Sequence, residues 1–470
     1  MRRKGALVTV LLATFLAIVA CSQQEAPDYP GNAVELTTAE PTTVEVITPD
    51  VPAPIYSQIW DIWTRSDVDP YQWIADIEQF RSHVKRVHPK FADGYLSTLA
   101  HNISMAEAFA YSIDTLIDNV PTLTKFEILL GLQQSLGLLN DNHSLFGIAS
   151  ARLRGQQISF LYQLIDKRYP LAFKWLADGI YLLKAPEGIP AINQRLTAIN
   201  GIPIEYVFDR FTHLWSLENI YDARNQFANY VNSPGILYAL GVQHGAETRQ
   251  EVVYAFYNGT YLTMYDAMLD DTLLVCARYS YDLPLFLQNL DQIAWYTFIE
   301  AYGILYIRIN QYFYTATFKE DLTQWLAENA GAIEATIIDA RGNSGGDLGP
   351  FLPLFDKVVA ATPTAHLFYF MNEGSLSAAL LAGRYFYGHG AIIIGQPSGQ
   401  LLDFYSFYGT QAQFSTMLRN ADFSLAVANT FHTHGTEDLV FRPHVLVEYT
   451  IDDWVNNHDP YFEYVLGLLR

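Results

Sequence analysis

The sequence predicts an α/β protein, and three observations lead there. Through the last third of the 470 residues, strand-like apolar runs alternate with helical patterns: strand 303–309, helix 319–329, strand 336–340, strand 367–370, helix 377–387, strand 391–394. One of those strands, ending Ile337-Ile338-Asp339, runs straight into the glycine-rich stretch Gly342-Asn343-Ser344-Gly345-Gly346. Half of the residues are hydrophobic and only 16% are charged, which is enough for a sizeable core and excludes wholesale disorder.

The elements follow in chain order. Arg2, Arg3 and Lys4 precede an uncharged, mostly apolar stretch, 5–20, too short for a membrane span and right for a signal peptide. It ends Ile18-Val19-Ala20-Cys21, which is similar to the lipobox of bacterial lipoproteins and makes Cys21 the expected lipidation site. The plain alternative is an uncleaved anchor with an incidental cysteine; either way the remainder lies outside the cytoplasm, held to a membrane. Residues 21–55 carry six prolines, six acids and no Lys or Arg, and read as a disordered tether.

A helical N-terminal domain is expected over 56–156. Ile74, Ile77, Phe80, Val84 and Val87 recur at helical spacing until Pro89. A second helix is expected over 104–119. A third starts at the capping box Thr124-x-x-Glu127 and carries apolar residues through Leu139, running out into Asn140-Asp141-Asn142-His143-Ser144. The texture then changes to short β-like runs broken by Gly, Pro and Asn, giving a mixed, β-rich middle section over 157–285 in which 196–201 reads as strand and turn. The α/β domain takes 286–470.

Charge and cysteine content exclude several functions. The net charge of −21 argues against a nucleic-acid or anionic-membrane binding surface. Two cysteines, Cys21 and Cys276, cannot build a disulfide framework, a four-cysteine zinc site or an iron–sulfur cluster. Cys276 lies in an apolar run and reads as a small core residue.

Three places offer chemistry. Gly342-x-Ser344-x-Gly346 matches the nucleophile-elbow pattern of α/β-hydrolases, although Asp347-Leu348-Gly349-Pro350 is a poor opening for the helix such an elbow needs. In Glu373-Gly374-Ser375-Leu376-Ser377-Ala378-Ala379, a serine at a helix start faces the positive end of the helix dipole; the plain alternative is that Ser375 or Ser377 only caps the helix. His432 and His434 with Glu437 have metal-ligand residue types, but such pairs are more often exposed polar residues, and no metal is expected.

Taken in order, these segments resemble the tail-specific, or S41, family of serine peptidases over about residues 60 to 465. The family's Asp-x-Arg-x-Asn-x-Gly-Gly is matched by Asp339, Arg341, Asn343, Gly345 and Gly346, and its nucleophile before Ala-Ala by Ser377-Ala378-Ala379. Gly395-Gln396-Pro397-Ser398-Gly399-Gln400 approximates Gly-Glu-Pro-Thr-Gly-Gly. Glu437 and Pro443 keep their places in a late motif where Asp438, Val440 and His444 depart from it. His88-Pro89 and Leu139 to Ser144 also look like the family.

The resemblance implies a Clp/crotonase-like β-spiral catalytic domain, and the strand and turn at 196–201 resemble what PDZ-like inserts or their remnants carry. One branch of the family uses a lysine base about 25 residues beyond the serine. This chain has no lysine after Lys357. The other, tricorn-type branch implies Ser377 as nucleophile, His143 as general base, Glu437 as the carboxylate that orients it, and the amides of Ala378 and of Gly345 or Gly346 as the oxyanion hole. Asp339 and Arg341 are expected to form a buried ion pair or loop clamp. The reading is a lipid-anchored, extracytoplasmic peptidase acting on peptides or proteins without a cofactor. Two alternatives stand beside it: an α/β-hydrolase-type esterase using Ser344, and a non-catalytic lipoprotein that binds peptides or apolar ligands on the same scaffold.

Overall fold

The computed structural model describes residues 43–46, 69–153, 156–159, 164, 168–243, 251–265, 283–313, 315–363, 366–406, 416–418, 423–432 and 440–470. The segment 1–20, Cys21, Cys276, His434, Glu437 and Asp438 lie outside these. Among the described residues no helix is long and apolar enough to cross a membrane.

The C-terminal half is built on a six-stranded sheet in the order Ala294–Ile299, Ile304–Ile309, Ala335–Asp339, Leu367–Met371, Ile392–Gly395, Val445–Leu446. The first pair is antiparallel and the other four pairings are parallel. Parallel strands sandwiched between layers are apolar on both faces, which is why Ile304–Ile309, Ala335–Asp339 and Leu367–Met371 are buried at every position. Helices Ala316–Asn329, Leu352–Ala361 and Ala378–Gly388 connect successive parallel strands. One face packs a core around Leu322, Phe355, Tyr369 and Phe386; the other packs Trp454, Tyr461 and Val465 of the two C-terminal helices.

The N-terminal helices form where their patterns indicate. Pro70–Val87 starts on the Asp69 cap and stops at His88, before Pro89. Ala100–Asn119 begins four residues ahead of expectation, and Lys125–Gly137 opens on the reciprocal Thr124–Glu127 capping box. Their apolar faces share one continuous core with the middle section, from Trp73 and Phe80 through Phe173, Phe211 and Phe227 to Met264.

Three features differ from the sequence reading. Within the expected tether, Thr43–Val46 is a strand, paired in parallel with Tyr261–Met264 at the edge of the middle section's five-stranded sheet. Val44 and Val46, alternating with Thr43 and Glu45, suit an extended edge. Within the expected helical domain, Leu145–Leu153 is a strand that pairs antiparallel with Phe423–Ala426, so the sheet it joins is completed from the far end of the chain. The middle section is also less β-rich than expected, with helices Ile204–Leu214, Ile220–Tyr230 and Pro234–Ala239.

A buried charge network locks the carboxyl end of the Ala335–Asp339 strand. Asp339, fully buried, accepts from Arg308 Nη1 (2.8 Å), Arg341 Nε (3.0 Å) and the Tyr306 hydroxyl (2.7 Å). Arg341 also reaches Asp459 with both terminal nitrogens at 2.8 Å and the Tyr449 hydroxyl at 3.1 Å. Burial by itself would raise the Asp339 pKa; the Arg341 and Arg308 guanidiniums hold it down at about 2. The pairing expected of Asp339 and Arg341 is present, extended to four charged side chains and two tyrosines.

Candidate active site

The site forms at the carboxyl ends of the parallel strands, where the loops after Asp339, Met371 and Gly395 converge. That is the ordinary location for function in open α/β sheets. After Asp339 the chain turns through Gly342 and reaches Gly345 and Gly346 at φ 110° and 131°. Both glycines are dictated by close approach. A Cβ on Gly345 would stand 2.7 Å from Ser377 Cβ and 3.1 Å from the Ala378 nitrogen, and one on Gly346 would stand 2.2 Å from the Tyr312 carbonyl oxygen. Asn343 fixes the loop: its Nδ2 donates to the Ile309 carbonyl (2.9 Å), its Oδ1 accepts the Gly345 N–H (2.8 Å), and its carbonyl accepts the Leu376 N–H (2.9 Å).

Ser377 stands at the start of helix Ala378–Gly388 with φ 51° and ψ −115°. A non-glycine residue in that region carries strain of roughly 1–3 kcal/mol and persists only where its surroundings hold it. Its side chain makes no capping hydrogen bond to the helix, so capping does not explain it. Ser375, the other serine of this turn, is structural: fully buried, it donates to the Ala340 carbonyl at 2.8 Å. Ser344 lines a cavity of about 120 Å³ behind the glycine loop, together with Trp175, Phe286, Glu373 and Trp454. Its backbone is not among the residues at positive φ, and the next helical residues, the 3₁₀ turn Gly349–Phe351 leading into helix Leu352–Ala361, do not follow it directly. The strand–turn–helix succession of an elbow is therefore missing at Ser344.

The expectation for the anion-binding amides is narrowed. The Gly345 N–H is already donated to Asn343 Oδ1. Among the described residues the Gly346 and Ala378 N–H groups meet no acceptor.

His143 follows helix Lys125–Gly137 on the Asp141–Ser144 turn. Asp141, fully buried, accepts the His143 N–H (2.8 Å) and the Ser144 hydroxyl (2.5 Å), and its Oδ2 lies 3.4 Å from His88 Nε2. Burial opposes ionisation of Asp141, but the hydrogen bond and charge of His88, with His143 and Ser144, hold its pKa well below the ordinary range. His88 itself is pushed down by burial. The His143 ring is three-quarters buried, stacks on Phe404 at 6.1 Å, and has Nδ1 3.8 Å from Asp141 Oδ1. The turn is pinned from the far end of the chain by the Ala428 N–H, which donates to Ser144 Oγ at 3.0 Å.

Between the histidine turn and the serine turn sits a segment of the middle section, 216–222, the loop and first turn that open helix Ile220–Tyr230, which carried no motif in the sequence. Ser216 Oγ exchanges hydrogen bonds with the Asp141 backbone at 3.0 and 2.9 Å. Asn142 Nδ2 donates to Asp222 at 2.8 Å, and Asn219 Nδ2 donates to the Ser398 carbonyl at 3.0 Å. Burial drives the Asp222 pKa up to about 6 against hydrogen bonds from Asn142, Glu218 and Gln226. The sign follows directly: a carboxyl whose folded pKa exceeds its unfolded value of about 3.9 stabilises the fold less as pH rises from 4 to 6. Asp222→Asn is therefore expected to flatten a loss of about 2 kcal/mol over that window, read by denaturant unfolding at pH 4.5 and 7.0.

The chain is similar in structure to proteases. Mature CPAF matches with a TM-score of 0.50 and 13% identity over 85% of this chain and 96% of its own. A CPAF mutant matches at 0.51 and 12% over the same shares. A putative S41 protease from Bacteroides fragilis matches at 0.30 and 11% over 70% of this chain and 87% of its own. No family model and no curated protein matches the chain. The likeness to CPAF is one of fold: an α/β protein with a helical N-terminal region and a sheet containing parallel strands.

Proposed function

We propose that this chain is a serine peptidase that hydrolyses peptide bonds through an acyl-enzyme on Ser377. The observation that carries the reading is the strained Ser377 backbone, held at a helix start against Gly345 with no capping role for the side chain. Strain of this kind clusters where a side chain must be presented to a reacting partner. The likeness in fold to CPAF supports the same class at the level of the fold.

In this mechanism Ser377 Oγ attacks the scissile carbonyl as His143 takes its proton. Asp141, ionised and 3.8 Å from Nδ1, stabilises the imidazolium. The Ala378 and Gly346 N–H groups bind the tetrahedral oxyanion, where losing one donor costs about 3–4 kcal/mol. Collapse of the intermediate breaks the C–N bond, and His143 returns the proton to the leaving amine. Water then attacks the ester with the same base, releasing the acid and restoring the serine. Glu437 is the carboxylate the family resemblance places behind the histidine. Substrates are peptides or proteins outside the cytoplasm, with the enzyme anchored by lipid on Cys21.

A fluorophosphonate probe followed by peptide mass mapping tests the nucleophile. Labelling is expected on Ser377, retained in Ser344→Ala and abolished in Ser377→Ala; the reverse pattern defeats the assignment in favour of the esterase. The anchor is tested separately. Cys21→Ala is expected to move the protein from the membrane to the soluble fraction with an unchanged Tm, and unchanged fractionation with an unmodified N-terminal peptide mass would sink lipidation.

A further inference from the structure

We infer that Gln400 and Glu218 form a positioning relay that holds Ser377 in its strained backbone and ties it to the turn carrying His143; this rests on the peptidase reading. Gln400 Oε1 accepts the Ser377 N–H. Its Nε2 donates to Glu218 Oε1 at 3.4 Å, and the Leu401 N–H donates to Glu218 Oε2 at 2.9 Å. The Glu218 N–H donates to Asp222 Oδ2 at 3.3 Å, and the same oxygen accepts from Nδ2 of Asn142, the residue before His143, at 2.8 Å. The buried residue Glu218 thus reaches both turns, one through Gln400 and the other through Asp222 and Asn142.

Burial makes the relay stiff. Gln400 is 2% exposed and Glu218 8%, so water does not readily replace either hydrogen bond. The surroundings fix both residues: the Gln400 N–H donates to Ser398 Oγ at 3.0 Å, and Ser398 Oγ donates to the Ser375 carbonyl at 2.7 Å. Asp222, behind Glu218, accepts the Glu218 N–H at 3.3 Å. Neither Gln400 nor Glu218 has a chemical step to perform. With its N–H committed to Gln400, Ser377 cannot contribute that group to the oxyanion hole, which is a second reason the donors are Ala378 and Gly346. The bond also sets the φ of Ser377, and so the direction in which Oγ leaves the helix start.

The test uses the full-length protein and two readouts. Gln400→Leu keeps the volume and removes both bonds. It is expected to speed hydrogen exchange at the Ser377 amide, read in peptides spanning 376–380, and to slow fluorophosphonate labelling of Ser377 by about 10–100-fold, the scale of a misplaced reacting group. The exchanged pair Glu218→Gln/Gln400→Glu preserves an acceptor for the Ser377 N–H and a donor–acceptor contact between the two side chains, and is expected to return labelling to within about threefold of wild type. A role confined to stability would order the variants by Tm and give no such rescue. Unchanged exchange in Gln400→Leu overturns the relay. Faster exchange with wild-type labelling also overturns it, because the bond would then position nothing. Wild-type protein that takes no label at Ser377 overturns the peptidase reading instead, and the exchange arm still decides whether Gln400 holds the serine.

Discussion

Ser377→Ala is expected to lower peptide hydrolysis by about 10⁴-fold or more while leaving the Tm within a few degrees of wild type. On the proposed mechanism the magnitude follows from removing the attacking atom, since members of a nucleophile–base pair act as a unit and losing either removes most of the acceleration. The fold is untouched because the Ser377 hydroxyl holds no helix cap, and alanine keeps the Cβ that packs against Gly345. His143→Ala should fall by a similar factor, and the double variant should fall no further than the worse single one. Independent, multiplicative losses in the double variant would mean that the two side chains do not work on one proton. The measurement is kcat/KM on a peptide library, with circular dichroism to verify the fold.

Asp339→Ala is expected to be the most destabilising single change in the sheet, by at least about 3–5 kcal/mol. The carboxylate is the common partner of Arg308 and Arg341, and all three side chains are at least 95% buried. Removing it leaves two guanidiniums facing each other across a dry strand end, with Asp459 able to satisfy only Arg341. Asp339→Asn should be nearly as damaging, since the amide restores volume and some hydrogen bonds but not the charge. Denaturant unfolding measures the loss; a change below about 1 kcal/mol would mean that water enters and solvates the arginines. Activity should fall with stability in these variants, because the strand continues directly into the glycine loop that touches Ser377.

How much of this was legible in the sequence differs by element. Four of the parallel strands were, because a strand covered on both faces is an uninterrupted apolar run and Gly or Pro punctuates its ends; the two-residue edge strand Val445–Leu446 was too short to show such a run. The helix beginning at Thr124 was legible because its cap is a local pattern. Strand Leu145–Leu153 was not: its partner lies at 423–426, and nothing within a local window says that residues late in the expected helical domain will meet the far end of the chain. The strand Thr43–Val46 was hidden by the prolines and acids around it. At the site, Ser377, Ala378 and the glycine pair stood in motifs. Gln400 stood at the end of one without an evident role, and Glu218 and Asp222 stood in none, because their importance comes from burial between two distant turns rather than from spacing.

The antiparallel pairing of Leu145–Leu153 with Phe423–Ala426 also dictates when the candidate site can be completed during synthesis. The Ser144–Ala428 contact spans 284 residues, so a chain made from its N-terminus exposes His143 long before the segment that pins it exists. Closing so long a loop belongs to the late, slow part of folding. The helical region and much of the middle section already share a core that can form first. On the peptidase reading, a chain assembled in this order is inert while nascent and becomes competent only when the segment that pins the His143 turn has emerged, which protects neighbouring nascent chains from one another without a separate inhibitor.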